Sequence, residues 1–164
     1  MRHFFILAIL LFVSSLNAQL NNDSLEKLLE TKVDSLLGQS GRWQAIYNDT
    51  PLVILTDEQN NRMRIISPII EAASLDKDLL LDTLTANFHS ALDVKYAISN
   101  GILWSVFVHP LDVLTTQELK SAIEQVSAAA TTFGTTFSST PLLFGAGASS
   151  KKIGHQEKII LKRT

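Results

Sequence analysis

Between Val94 and Pro110 the chain reads VKYAISNGILWSVFVHP, an alternation of apolar and polar positions folded about one turn. Asn100-Gly101 is the dipeptide that a two-residue type I′ turn requires, because both central residues need positive φ. Val94, Tyr96 and Ile98 alternate on the first arm, and the second, Ile102 to Val108, is almost wholly apolar and β-favouring. Folding about the turn pairs Ile98 with Leu103, Tyr96 with Ser105 and Val94 with Phe107 on one face. Ala97 with Trp104 and Lys95 with Val106 then fall on the other. If the first face packs on helices, the second still shows Ile102, Trp104, Val106 and Val108, more apolar area than a solvated side usually carries. Two readings stand. Either a second layer of the same chain covers it, from the first helix or segment 137–144, or it is a contact surface for another subunit or a client segment.

The rest of the pattern supplies helices and three more strands. Leu25, Leu28, Leu29, Val33, Leu36 and Leu37 recur at helical spacing and predict a helix from Asp23 to Leu37. Asp23 with Glu26 makes its capping-box pattern, and Gly38 is its left-handed stop. Strands are predicted at Arg42–Tyr47, Leu52–Thr56 and Arg62–Ile69, with Pro68 ending the last or marking an edge. A second helix, Leu75–His89, would be capped by Ser74 and bury Leu80, Leu84 and Phe88, joined by Leu81; Asn87 could cap its end. Thr115 with Glu118 opens a third, from Thr116 to about Phe133, with Leu119, Ile123, Val126, Ala130 and Phe133 inward. From Gly134 onward Thr, Ser, Gly and Ala dominate. Phe137, Leu142, Leu143 and Phe144 pack locally at most, and Ile159-Ile160-Leu161 suits a short edge strand. Segregated helices and strands predict an α+β fold: an antiparallel sheet of about five strands in the order α-βββ-α-ββ-α, with helices on one side.

The first residues change the picture of where this domain works. Arg2 and His3 precede the apolar run Phe4 to Val13, and a small residue, Ala18, follows. That is the pattern of a secretory signal peptide over 1–18, too short to remain as a bilayer-spanning helix of about 20 apolar residues. The expectation is an exported protein, periplasmic or secreted, with no stable membrane anchor after cleavage. The folded domain then covers 19–138, and 139–164 is a Ser/Gly-rich segment with a basic tail. The absence of cysteine excludes lipidation at the cleavage site, disulfides and thiolate chemistry. From Gln19 to Ser150 there are eight basic and fifteen acidic residues, a net charge of −7; from Lys151 to Thr164 the net is +4. An acidic body repels nucleic acid, so no nucleic-acid partner is expected. The tail either is a solvated terminus or docks on something anionic, its own acidic body included.

Catalytic signals are missing. His89, His109 and His155 form no ligand-spaced pair, and no G-x-S-x-G elbow is present. Gly145-Ala146-Gly147 lacks the strand-to-helix context of a phosphate cradle, and Asp76, Asp78 and Asp82 lie on a helix without a calcium loop's glycine. No catalytic residue, metal ligand or cofactor is therefore assigned. The one enzyme grouping left to test is Asp76, Asp82 and His89.

The stretches RMRIISPI (Arg62 to Ile69), LLLDTLTANF (Leu79 to Phe88), YAISNGILWSVFVHPL (Tyr96 to Leu111) and LTTQELKSAIEQV (Leu114 to Val126), in this order, resemble the type III secretion chaperone-like fold. That fold is shared by the small export chaperones and the YbjN-type bacterial domains. The resemblance implies a non-catalytic domain, often dimeric, that holds an extended or helical segment of another protein. The expectation is an exported protein-binding domain whose partner is another protein or a second copy of itself, through Ile102, Trp104, Val106 and Val108 or an exposed strand edge. The alternative is a small-ligand sensor with a pocket between helices and sheet.

Overall fold

Positive φ at Asn100 (50°) and Gly101 (75°) builds the expected type I′ turn, and the ribbon on either side has the predicted register throughout its paired length. It belongs to a computed structural model that describes residues 20–142. In chain order the elements are α1 (Asn22–Glu30), β1 (Ser35–Gln39), β2 (Arg42–Tyr47), β3 (Thr50–Asp57) and β4 (Arg62–Glu71). After a 3-10 turn at Ala72–Ser74 come α2 (Lys77–His89), β5 (Lys95–Ser99), β6 (Ile102–His109) and α3 (Thr116–Thr131). All neighbouring strands are antiparallel, in the spatial order β1-β2-β3-β4-β6-β5. This is the expected α+β architecture with six strands. The signal-like segment 1–18 and the tail 151–164 lie outside the described residues, as do Leu143, Phe144 and the glycines at 145 and 147.

The extra strand, β1, lies inside the predicted first helix. Helix α1 starts from a capping box between Asn21 and Ser24 and stops at Glu30, and Ser35 to Gln39 pair with β2. Gly38 is not a helix stop. It sits in β1 at φ 135°, where an added Cβ would lie 2.3 Å from the Arg42 carbonyl oxygen. Close approach of the two strands thus requires glycine there. Leucines at 36 and 37 fit either element over so short a run, and pairing with β2 decides between them.

One face of the sheet carries the core. Trp43, Leu52, Ile54, Met63, Ile65 and Leu103 point inward and are buried, meeting Leu25 and Leu29 of α1. Helix α3 lies across β3, β4 and β6 with Leu119, Ile123 and Val126 inward, and its Thr115–Glu118 capping box forms as predicted. Ala129 takes the fully buried place expected of Ala130, which is half-buried. Serines let α3 approach closely: Ser105 Oγ donates to the Val126 carbonyl at 2.9 Å, and Thr50 and Ser127 hydroxyls meet at 2.8 Å. Strand β4 neither ends at Pro68 nor forms an edge. It continues to Glu71 through a register shift between Pro68 and Ile70, the irregularity that lets a sheet interior tolerate proline.

Helix α2 is rotated from its predicted orientation. Its cap is Asp76, whose carboxylate accepts from the Leu79 N–H at 2.8 Å, and its buried residues are Thr83 and Ala86. Leu80, Leu81, Leu84 and Phe88, expected inside, are exposed, from 36% for Leu80 to 73% for Phe88. Asn87 supplies the reason. Its carboxamide accepts from the Tyr96 N–H at 2.7 Å and donates to the Tyr96 carbonyl at 3.1 Å, pairing with the free edge of β5 as a strand would. That contact fixes the helix rotation and turns its small side chains inward. Beyond α3, Phe137 packs on Tyr96 and Phe133, and the Ser139 hydroxyl donates to the Ala91 carbonyl at 2.8 Å.

Candidate functional site

All three described helices contribute to the core on one side of the sheet, which leaves the opposite side to be accounted for. Alternation places Ile102, Trp104, Val106 and Val108 of β6 on that outer side, three of them half-buried and Val108 50% exposed. Antiparallel register extends the surface across its neighbours. Val106 lies beside Ile66, and Ile66 beside Val53, forming an apolar row over three strands. Val108 is followed in the same way by Arg64, Leu55 and Arg42. Trp104 sits between Pro68 and Ala97, its indole N–H donating to the Ser99 carbonyl at 3.1 Å. At the far edge Leu37 of β1 faces the same way beside Gln44.

The described parts of the two elements proposed as a second layer lie on the other side. Helix α1 buries Leu25 and Leu29 in the core on the other side, and Phe137 packs against Tyr96, also on the core side. The four predicted positions therefore form a contiguous apolar surface that no described helix covers. Arg42, Arg62, Arg64 and Lys95 share the outer face; pairing with Val106 already placed Lys95 there, and the two-residue spacing in Arg62-Met63-Arg64 signalled the arginines, but their gathering from three strands was not read from the sequence. The exposed leucines of α2 were hidden by assigning them to the core.

The structure also places the other residues singled out in the sequence, with Asp82 half-buried on α2. Asp76 is the cap of α2, and His89 is its last residue, edge-on to Phe88 with ring centroids 4.8 Å apart. The His109 ring stacks on Phe107, with Nδ1 2.8 Å from the Pro110 carbonyl oxygen. In the turn after β3, the Asn60 carboxamide and N–H bond to Asp57 and hold its carboxyl below the usual carboxylate range. Burial pushes the Tyr96 phenol up to about 12, with its O–H donating to the Ala129 carbonyl. No cluster of three or more metal-ligating side chains occurs among the described residues. The space beneath α3 is filled by Trp43, Leu119, Ile123 and Val126. At the margin a cleft of about 330 Å³ opens between α3, at Glu118, Ser121 and Gln125, and the end of β6, at Phe107 to His109, and another of about 440 Å³ lies beside Asn21, Glu58 and Asp112. No described helix is long and apolar enough to cross a membrane.

No protein-family model matches the chain. No curated protein matches it either. Among solved structures, a chain of the ExsC–ExsE complex is similar with a TM-score of 0.52 at 11% identity, over 68% of this chain and 92% of that one. A chain of the HopA1–SchA chaperone–effector complex is similar at a TM-score of 0.46 and 17% identity, over 62% and 80% respectively. At such identities the likeness is one of fold.

Proposed function

We propose that this chain is a non-catalytic, exported, chaperone-like domain that binds another protein, or a second copy of itself, through the outer face of its sheet. The observation that carries the reading is the contiguous apolar surface around Ile102, Trp104, Val106 and Val108, which no described helix covers while the other face is buried. Apolar area of this kind marks interaction sites more often than solvated surface. The fold shared with a chain of the ExsC–ExsE complex supports the same reading, since that protein is found in a protein–protein complex. Export rests on the pattern of residues 1–18. A dimer through this face would be one form of the same binding.

The test is Trp104→Asp, which puts a charge in the centre of the surface without touching the buried side. The expected variant unfolds cooperatively, as the wild type does, and loses self-association in sedimentation or the partners captured by photo-crosslinking from position Val108. Wild type and variant that sediment alike, with no crosslink from Val108 in either, would remove the proposal.

A further inference from the structure

Strand β6 outruns its neighbour at one margin of the sheet. Pairing with β5 ends at Lys95–Val106, while β6 runs on to His109 beside β4. Phe107, Val108 and His109 therefore have no described strand on their other side. A two-residue turn makes its flanking residues, Ser99 and Ile102, a hydrogen-bonded pair, and every second pair beyond them is another. Val108 is the next residue of β6 in that series, so its N–H and carbonyl face the open side. The cleft of about 330 Å³ lies along this bare edge, between it and the Glu118 to Gln125 stretch of α3, with Asp93 in its lining.

Two carboxylates mark the length of the cleft. Asp93 accepts from the Gln125 carboxamide at 3.2 Å, and Glu118 stands on α3 seven residues before Gln125, a rise of about 10 Å. Neither lies within 4 Å of a basic group among the described residues, where the single ion pair is Lys120–Glu124. Lys95 turns its ammonium to the Leu92 carbonyl instead. Phe107 and Ala122 make the lining apolar between the acids.

A strand edge beside two acids fits an extended segment that alternates basic and apolar residues, and this chain has one. In Lys158-Ile159-Ile160-Leu161-Lys162 a period of two sets Lys158, Ile160 and Lys162 on one face and Ile159 and Leu161 on the other. With the first face toward the cleft, lysines about 13 Å apart would reach the two carboxylates with Ile160 between them, and the second face would extend the apolar surface beside Val108. The chain also leaves the fold at this place. The Ser139 hydroxyl donates to the Ala91 carbonyl at 2.8 Å and lies 3.3 Å from Gln125 Oε1, at the wall of the cleft. The sixteen residues from 143 to 158 span up to about 50 Å when extended, ample for a return. The other edge strand, β1, lies across the whole width of the sheet.

We propose that residues 158–162 add to the open edge of β6 as a short strand and strap the basic C-terminal part of the chain over this cleft. The proposal goes beyond the role of the outer face and does not depend on it. Main-chain hydrogen bonds supply the affinity in such strand addition, and alternate side chains the selectivity. Three residues of edge and two charge contacts hold a separate molecule weakly, but a segment of the same chain meets the cleft at an effective concentration of the order of millimolar.

Two measurements on the full chain test it: exchange of the Val108 amide hydrogen, and a photo-crosslinker at Ile160 read in an equal mixture of isotope-labelled and unlabelled protein. The Val108 amide is expected to be protected, and the crosslink to join position 160 to β6 or α3 of the same chain. Lys158→Glu combined with Lys162→Glu leaves residues 20–142 as they are. It should abolish the crosslink and speed Val108 exchange about tenfold, with the Ile65 amide in the sheet centre unchanged. A Val108 amide that exchanges equally fast in both proteins overturns the proposal. So does a crosslink between labelled and unlabelled chains, which gives the cleft to a second copy. A wild type that uses the two lysines to bind vesicles of anionic phospholipid, with Val108 unprotected, also overturns it and gives the segment to lipid. Binding by the outer face is read separately, with Trp104→Asp, and stands or falls on its own.

Discussion

Replacing Asn87 by alanine should remove the device that closes one side of the sheet. The carboxamide makes two hydrogen bonds to Tyr96, at 2.7 Å from its N–H and 3.1 Å to its carbonyl, in a half-buried setting. Each such bond contributes about 0.5–1.5 kcal/mol net, so the pair is worth roughly 1–3 kcal/mol. Of the residues α2 packs inward, Thr83 and Ala86 are small and Leu79 is only half-buried, while Ser90 at its end bonds to the Phe137 carbonyl rather than to β5. With a urea dependence of about 1–3 kcal/mol per molar, the unfolding midpoint should drop by about 1 M. Emission from Trp43, fully buried in the native state, reports the transition. The Tyr96 amide should lose hydrogen-exchange protection at the same time, well before that of Ile65 in the sheet centre. Asn87→Asp keeps the acceptor for the Tyr96 N–H but faces the carbonyl with a second acceptor, so it should rescue little. A midpoint within about 0.2 M of wild type, with Tyr96 still protected, would refute the assignment of Asn87 as the edge partner of β5.

Two further expectations concern the core and the pH response. Ser67 and Ser105 face each other across β4 and β6, both fully buried, but among the described residues only Ser105 has a partner and the Ser67 hydroxyl has none. Ser105→Ala should therefore cost about 1 kcal/mol, whereas Ser67→Ala should be neutral or stabilising by up to about 1 kcal/mol. In calorimetry Ser105→Ala should lower the melting temperature by several degrees while Ser67→Ala leaves it unchanged or raises it, and equal losses would contradict the pairing. The Thr115 N–H and hydroxyl hold the Glu118 carboxyl below its ordinary range. A lowered folded-state pKa adds stability above the unfolded value and loses it as pH falls through the folded one. Melting temperature should thus decline below about pH 4.5, and Glu118→Gln should flatten part of that decline. An unchanged profile in the variant would show that the capping carboxylate carries no linkage.

How much of this architecture was legible beforehand depended on whether a signal was complete within a few residues. Asn100-Gly101 demands a left-handed pair whatever surrounds it, so the turn, the register of the ribbon and the outward direction of Trp104 and Val106 followed from local sterics. Thr115 and Glu118 likewise satisfy each other within one helical turn, and α3 begins where they place it. The surface-forming quartet on β6 was readable for the same reason, because alternation about a fixed turn sorts side chains into two faces.

Where two solutions satisfied the same local pattern, distant parts of the chain chose. The leucines at 36 and 37 could extend α1 or pair with β2, and only the approach of Arg42 and Trp43 to Gly38 made them a strand. Helix α2 carries one stripe of leucines and one of small residues. Hydrophobicity alone favours burying the leucines, but Asn87 must reach Tyr96 and so sends them to solvent. The gathering of Arg42, Arg64 and Lys95 on one face, from three separate strands, exists only once the sheet has formed. Local order in this protein is thus written in adjacent residues through allowed backbone angles and caps. Which faces remain open is a property of packing between segments far apart in the chain, and it was decided by the tertiary structure alone.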